Sequence, residues 1–216
     1  MKLRTAVLVA TTAAIALAGC ASEGDVVVNE GVGITAIRSV CPAVGVPHYT
    51  GDLTLFSPAG ATTADALDVT AVITNLRSNC SDQGADVYAL ATFEVQATRR
   101  DTRGDRQVTV PYYATVLRGG SSVVSKRVNT VTLYFADGQA RASALGQAAA
   151  LVNRAEATLP DDIRERITRE RRSGDSDAAI DPLTEPEVRA AITRATFELL
   201  VGFQLTNEQL AYNATR

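Results

Sequence analysis

Apolar and polar residues alternate with a period of two along the middle of the chain. The alternation is clearest over residues 67–74 and 87–96, and it recurs less regularly over residues 34–40, 53–56, 108–116 and 123–135. Because successive side chains of a strand point to opposite faces, this period is typical of strands that bury one face. The pattern therefore predicts a β-rich domain over residues 32–157.

A hairpin is predicted at Asp137-Gly138, because a type I′ turn needs positive φ at both central residues. Pairing Ala136 with Gln139 would place Phe135 opposite Ala140. In the same register, further large side chains of the first strand would lie opposite small side chains of the second. Residues 145–157 allow two interpretations. Their alanines favour a helix, whereas their alternation favours a strand that continues through Val152, and we favour the strand.

Helical signals begin at Leu159-Pro160. Pro160 followed by Asp161 and Asp162 predicts a helix start, since proline is tolerated in the first turn and acidic side chains are favoured at the positive end of the helix dipole. An acidic loop over residues 173–181 follows.

A longer helix is predicted after this loop. Thr184 and Glu187 have the spacing of a capping box, Gly202 marks a helix end, and a second box at Thr206 and Gln209 starts a final short helix. The predicted apolar stripe consists of Val188, Ala191, Ile192, Ala195 and Leu199.

These segments predict an α+β chain. We expect an immunoglobulin-like β-sandwich of about seven antiparallel strands, with a C-terminal helical segment over residues 158–216 packed on it.

The N-terminus has the features of an export signal. Lys2 and Arg4 precede an apolar run of about thirteen residues, Ala6 to Ala18, which is too short to cross a bilayer as a mature helix. The run closes on Leu17-Ala18-Gly19-Cys20, which resembles the lipobox of bacterial lipoproteins.

The lipobox resemblance implies a signal peptide over residues 1–19, cleavage after Gly19, and acylation of the Cys20 thiol. Two or three acyl chains would hold the protein on a membrane permanently, whereas one chain binds only marginally. Residues 20–31 would then be a tether to the domain. The alternative is an ordinary secretory signal cut near Ala18 or Ala21, which would leave a soluble periplasmic protein.

The membrane is expected to be the outer one. In the sorting rule known for such lipoproteins, aspartate after the acylated cysteine retains the protein in the inner membrane, and Ala21 and Ser22 follow here. Loss of Lys2 and Arg4 moves the net charge from −3 to −5, so the lipid and not bulk charge must hold the protein. The near balance of 21 basic and 24 acidic residues also excludes nucleic acid as a partner.

Two cysteines remain, Cys41 and Cys80, and an even pair in an exported chain predicts a disulfide. The competing interpretation is a zinc or redox site. It is disfavoured because the chain has no C-x-x-C spacing and a single histidine, His48.

Catalytic and cofactor motifs are scarce, and we predict a non-catalytic protein without metal or cofactor. No G-x-S-x-G sequence supplies a nucleophile. Asp175, Asp177 and Asp181 lie in one loop, but Ile180 stands where a calcium loop of the EF-hand type has glycine. A solvated loop with helix-capping aspartates explains them better.

Two binding roles remain open. The predicted last helix carries a second apolar face formed by Phe197, Leu200, Val201 and Phe203. This face is either covered by the domain or docks another envelope protein, which would make the chain an accessory subunit. The alternative is a small-ligand or glycan-binding module, with peptidoglycan as the ligand and a polar pocket holding Arg99, Arg106 and Arg118.

Overall fold

The computed structural model describes residues 39–169, 174–176 and 180–215. The predicted signal peptide, Cys20 and the tether over residues 20–31 therefore lie outside the described residues, as does Asp177. The strands are β1 Ala43–Gly45, β2 Asp52–Phe56, β3 Leu67–Ser81, β4 Asp86–Arg99, β5 Arg106–Arg118, β6 Ser122–Phe135, β7 Arg141–Asn153 and β8 Phe197–Phe203. The helices are α1 Arg154–Ala157, α2 Asp161–Thr168, α3 Pro186–Ala195 and α4 Asn207–Thr215, with 3₁₀ turns at Ala64–Ala66 and Pro182–Thr184.

The strands form two four-stranded sheets. The first sheet has the order β1-β8-β5-β6 and the second the order β2-β3-β4-β7. The prediction of a mostly β chain is confirmed, with eight described strands instead of seven and one parallel pair, β1 with β8. The immunoglobulin-like order is not confirmed, because the sheets have the orders β1-β8-β5-β6 and β2-β3-β4-β7, whereas that fold divides its strands into the sheets ABED and CFG.

The core lies between the inner faces of the two sheets. Along β4, every second side chain from Val87 to Arg99 is buried, as the alternating sequence predicted. Phe93 from the second sheet meets Tyr112 from the first with ring centroids 5.1 Å apart in an edge-to-face arrangement. Burial of these alternating apolar side chains is the main source of stability for a two-layer fold.

The turn at Asp137-Gly138 forms, but it does not make the predicted hairpin ladder. The Gln139 amide donates to the Ala136 carbonyl at 2.9 Å, and Gly138 has a φ of 75°. The strands on either side then diverge into different sheets, β6 pairing with β5 and β7 with β4. The predicted register was wrong because both strands have an apolar inner face, which suits packing across the core as well as pairing side by side.

The interpretation of residues 145–152 as a strand is confirmed, since β7 runs to Asn153. The side chain of Asn153 then accepts a hydrogen bond from the Ala155 amide and begins the short helix α1. This cap explains why the alanine-rich stretch changes from strand to helix at this point.

The predicted helix up to Gly202 was wrong. Helix α3 ends at Ala195, Thr196 is extended, and the next seven residues form β8 between β1 and β5. Phe197, Leu199 and Val201 have a period of two, which fits the core face of a strand. The segment 158–216 is therefore not a helical appendage, because it supplies an interior strand of the first sheet.

Of the two predicted capping boxes, the second is confirmed. The Thr206 amide donates to the Gln209 side chain at 2.9 Å, and the Gln209 amide donates to the Thr206 hydroxyl at 3.2 Å. Thr184 instead lies in a 3₁₀ turn, where its hydroxyl donates to the Asp181 carbonyl. None of the described helices has the length and apolarity needed to cross a bilayer.

Candidate functional site

The predicted disulfide between Cys41 and Cys80 is confirmed. Its Cα atoms are 6.1 Å apart, and it joins the segment before β1 to the end of β3. The bridge thereby links the first sheet to the second at one end of the domain.

The predicted docking face on the last helix does not form. Phe197, Val201 and Phe203 are buried, with at most 4% of each residue exposed, and Leu200 is half-buried. They belong to strand β8, whose inner face is part of the core between the sheets. These four residues therefore pack within the domain and form no exposed apolar patch.

The three arginines suggested for a ligand pocket do not converge. Arg99 is buried and donates to four backbone carbonyls, and Arg106 forms a bidentate pair with Asp68. Arg118, at the opposite end of β5 from Arg106, donates to the Arg194 carbonyl and pairs with a glutamate of α1. All three side chains have structural partners.

A different site is present on the outer face of the second sheet. A groove of about 690 Å³ crosses strands β2, β3, β4 and β7 at one level. We call it the sheet groove, and its principal polar side chains are Thr70, Glu94, Gln96, Thr98, Arg141 and Ser143.

Strand register brings these side chains together. Thr98 of β4 lies between Thr70 of β3 and Arg141 of β7, and Gln96 lies beside Ser143 of β7. Their apolar neighbours along each strand, such as Val95 and Ala97, point into the core. Since strand residues alternate between faces, burying one set necessarily presents the other to the groove.

The groove side chains retain hydrogen-bonding capacity for a ligand. Within the part of the chain that the structure describes, the six polar side chains have no side-chain hydrogen bond or ion pair with another residue. Short hydroxyl side chains at Thr70, Thr98 and Ser143 also leave room above the sheet. The set suits a hydroxyl-rich ligand, which both donates and accepts hydrogen bonds.

Charge is arranged unevenly along the groove. Glu94 and Arg141 lie at opposite ends of the groove, four residues apart in the register of β4 against β7, or about 13 Å from the rise of a strand. Asp52 of β2 adds a second carboxylate to the lining. A ligand lying along β4 would meet the Glu94 carboxylate at one end and the Arg141 guanidinium, which favours ligand carboxylates, at the other.

The other half of the same sheet face carries an apolar patch on β4 and β7. Tyr88 pairs across the strands with Leu151, and Leu90 pairs with Ala149. Tyr88 is 45% exposed and Leu151 67% exposed. Neighbouring exposed side chains of this size form a small apolar surface beside the polar groove.

The sequence contained part of the signal for the sheet groove. The alternation over residues 87–96 indicates that Glu94 and Gln96 face away from the core. It does not indicate that residues 141–143 lie beside them. The sequence predicted that residues 140–144 would pair with β6, and not with β4. Among the described residues, no group of three His, Cys, Asp or Glu side chains could hold a metal ion. Asp181 caps the 3₁₀ turn, because its carboxylate accepts a hydrogen bond from the Leu183 amide.

Comparisons of this chain with protein-family models, with curated proteins and with solved structures give no match.

Proposed function

We propose that this chain is a lipid-anchored envelope lipoprotein that faces the periplasm from the inner leaflet of the outer membrane. It acts there as a non-catalytic binding subunit, with acylated Cys20 as its anchor. The sequence Leu17-Ala18-Gly19-Cys20 supports the anchor. The disulfide between Cys41 and Cys80 agrees with an oxidising compartment outside the cytosol.

The two sheets serve in this proposal as a sandwich scaffold that presents the sheet groove. The observation that carries the binding role is the set of uncommitted polar side chains in one concave surface, among them Gln96, Thr98 and Arg141. We propose a glycan ligand, and peptidoglycan in particular, because its sugars offer hydroxyl groups and its peptides offer carboxylates. Arg141 would bind a carboxylate and the neutral side chains would bind the sugars.

A sedimentation assay with purified peptidoglycan sacculi tests this role. The mature chain with Cys20→Ser is mixed with sacculi, and the bound fraction is measured over a range of concentrations. The double variant Gln96→Ala/Arg141→Ala should bind about tenfold more weakly, equivalent to about 1.4 kcal/mol.

A matched control is Arg127→Ala, which removes an exposed arginine from strand β6 of the other sheet. Its affinity should stay within about twofold of the parent, a change below about 0.5 kcal/mol. Absence of sedimentation by the parent chain, or equal binding by the groove variant, would contradict the glycan role.

The apolar patch on the same face supports a second candidate function, that of an accessory subunit bound to another envelope protein. Exposed Tyr88 and Leu151 are the side chains that such a partner would cover. Crosslinking in intact cells from position 151 should then yield an adduct with one protein, and Leu151→Asp should abolish a crosslink placed at position 149. Adducts with lipid alone would argue against this role.

A further inference from the structure

Strand β6 has one long edge without a partner strand among the described residues. It is the last strand of the first sheet and pairs there only with β5. Residues Ser122 to Thr130 are exposed without interruption, and Val123, Val124 and Val128 are each more than half exposed. An edge with accessible amides and carbonyls and apolar side chains is a template for adding another strand.

This half of β6 extends beyond the core. Leu133 and Phe135 are buried, so the odd-numbered side chains of β6 point toward the second sheet. Arg127 has the same orientation but is exposed, although its β5 partner Ala114 is buried. The described part of the second sheet therefore does not cover this half of β6, and both of its faces are accessible to an added strand.

The charge on the exposed edge is positive. Lys126 and Arg127 lie at its centre, and the side chain of neither forms an ion pair with a carboxylate of the described residues. Because adjacent side chains of a strand point to opposite faces, each face of the edge presents one of these cations. The Lys126 ammonium lies 5.1 Å from the centroid of the Tyr113 ring, which holds it above the outer face.

These features specify the chemistry of a strand that fits the edge. Main-chain hydrogen bonds would hold any added strand, whereas opposite charges on directly paired residues favour one partner over another. We infer that β6 binds an extended peptide segment of a partner protein, with two adjacent acidic residues opposite Lys126 and Arg127 and apolar residues opposite Val124 and Val128. Two adjacent acidic side chains also point to opposite faces, so one of them meets each cation.

A second copy of the chain suits this edge less well. Two-fold pairing of β6 with itself, centred on the exposed run from Ser122 to Thr130, would place the Lys126 side chains of the two copies opposite each other. Like charges on directly paired strands are destabilising. An acidic strand replaces this repulsion with attraction.

A lipid surface also suits this edge less well. Lys126 and Arg127 would attract anionic headgroups, and the exposed valines would enter the boundary of the acyl chains. Lipid chains, however, offer no partners for the backbone amides and carbonyls of the β6 edge, and burying these groups without partners costs free energy. An added strand satisfies them.

The inference is independent of the proposed function. Strand β6 belongs to the first sheet, whereas the sheet groove lies on the second. Peptide binding at β6 therefore requires neither peptidoglycan nor acylation of Cys20. Failure of one proposal leaves the other unaffected.

Titration with synthetic peptides tests the inference on the full mature chain, residues 20–216 with Cys20→Ser. The fluorescent peptide Ser-Thr-Val-Glu-Glu-Thr-Val-Thr-Ser has the predicted pattern, and its binding is measured by anisotropy. We expect saturable binding. The same peptide with both glutamates replaced by lysine should bind at least about tenfold more weakly, because like charges then face each other.

Two N-methylated forms of the acidic peptide distinguish strand addition from simple charge attraction. Successive amides of a strand point to opposite edges, so methylating every second residue blocks one edge and leaves the other intact. One of the two alternating patterns should weaken binding about tenfold, and the other should not. Equal binding by the two forms would overturn the inference, since their charges are the same.

A charge reversal tests the residues involved. Lys126→Glu/Arg127→Glu should bind the acidic peptide about tenfold more weakly than the parent and should gain binding to the lysine peptide. The matched control Arg77→Glu/Arg189→Glu makes the same change in net charge at exposed positions of β3 and α3. Its affinity for the acidic peptide should stay within about twofold of the parent.

Hydrogen exchange shows where the peptide binds. At a peptide concentration about ten times the Kd, the β6 amides that point away from β5 should exchange about tenfold more slowly, while β4 amides should be unchanged. Slow exchange of those β6 amides in the free protein would overturn the inference, because the edge would already be paired. Protection of the free protein that disappears on dilution would show instead that a second copy covers the edge.

Vesicles of anionic phospholipid test the lipid alternative. The inference predicts that the parent and Lys126→Glu/Arg127→Glu sediment with vesicles to the same small extent. Sedimentation that requires Lys126 and Arg127, without saturable binding of the acidic peptide up to about 1 mM, would overturn the inference in favour of a lipid surface.

Discussion

The guanidinium of Arg99 lies over the ring of Phe135, 5.3 Å from the ring centroid, at the end of the domain where the β4–β5 and β6–β7 connections meet. Arg99 is only 2% exposed. Its Nε donates to the Gln139 carbonyl, Nη1 to the Gly104 carbonyl, and Nη2 to the carbonyls of Thr102 and Ala136, all at 2.7 to 2.8 Å. One side chain therefore holds the loop between β4 and β5 against the loop between β6 and β7.

Replacing this side chain should destabilise the domain strongly. Arg99→Met keeps the apolar stem but leaves the carbonyls without donors, which should lower the free energy of unfolding by about 3 kcal/mol. Urea denaturation measures the change. Arg103→Met is the matched control, because the Arg103 side chain is 89% exposed and pairs with an exposed aspartate. The prediction fails if both variants unfold at the same urea concentration.

Removing the disulfide should also lower stability. Cys41 and Cys80 are 39 residues apart, and closing a loop of this length stabilises a fold by about 4 kcal/mol in the chain-entropy model. Cys41→Ala/Cys80→Ala should therefore melt about 10 °C lower than the parent. Calorimetry of the parent with and without reductant provides the control, since reduction should reproduce the loss.

Acid should destabilise the protein through the pair formed by Asp68 and Arg106. Two hydrogen bonds of 2.6 Å from the Arg106 guanidinium hold the pKa of the Asp68 carboxyl below its usual value. Because the folded pKa is lower than the unfolded one, the stabilisation is present above about pH 4 and is lost as the pH falls through the folded pKa.

Asp68→Asn should therefore flatten the fall in stability below pH 4 and cost about 1 kcal/mol at pH 7, a modest loss because Arg106 is partly exposed. Arg106→Met should flatten the same limb, since the carboxyl then loses its hydrogen-bond donors. Urea midpoints measured from pH 2.5 to 7 would show this, and an unchanged slope in Asp68→Asn would refute it.

Gly146 makes room for a large side chain in the core. It faces Phe93 across the β4–β7 pair, and a Cβ at position 146 would overlap the Phe93 ring. Phe93 is 1% exposed and packed against Tyr112, so it has little freedom to move. Gly146→Ala should lower the free energy of unfolding by about 2 kcal/mol through overpacking.

The neighbouring change Gln147→Ala serves as the control, because residue 147 points to solvent. Chemical denaturation of the two variants should separate them by well over the measurement error. Equal stabilities would mean that the Phe93 ring moves aside without cost.

The proposed lipid anchor predicts a simple change in location. Cys20→Ala removes the thiol that would carry the acyl chains, so the variant should leave the membrane pellet and appear in the soluble fraction. Fractionation of cells expressing the parent and the variant measures this, with Cys41→Ala as a control that keeps Cys20. A variant that still sediments with membranes would show that something other than the lipid holds the protein.

Local periodicity was sufficient to predict several elements of the fold. The inward side chains of β4, the strand over residues 141–153, and the capping box at Thr206 and Gln209 follow from interactions between residues close in sequence. The disulfide also followed from counting, because only two cysteines remain once Cys20 is assigned to lipid.

Strand partners could not be predicted in the same way. Asp137 and Gly138 indicate a turn, but a turn does not specify whether the flanking strands pair or separate into two sheets. The sequence of residues 197–203 is compatible with both a helix and a strand. Pairing with β1 on one side and β5 on the other favours the strand. Without the register of β4 against β7, the polar residues of the sheet groove could not be recognised as neighbours.

The sequence alone determined which side chains of β4 turn inward and which cysteines pair, because these depend on spacing and counting along the chain. Tertiary structure alone decided which strands are neighbours, that Phe197 and Phe203 are core residues, and that Gln96 and Arg141 share one surface. The physical reason is that pairing between distant strands depends on the total burial and backbone hydrogen bonding of the whole domain. The sequence of one segment does not contain this information.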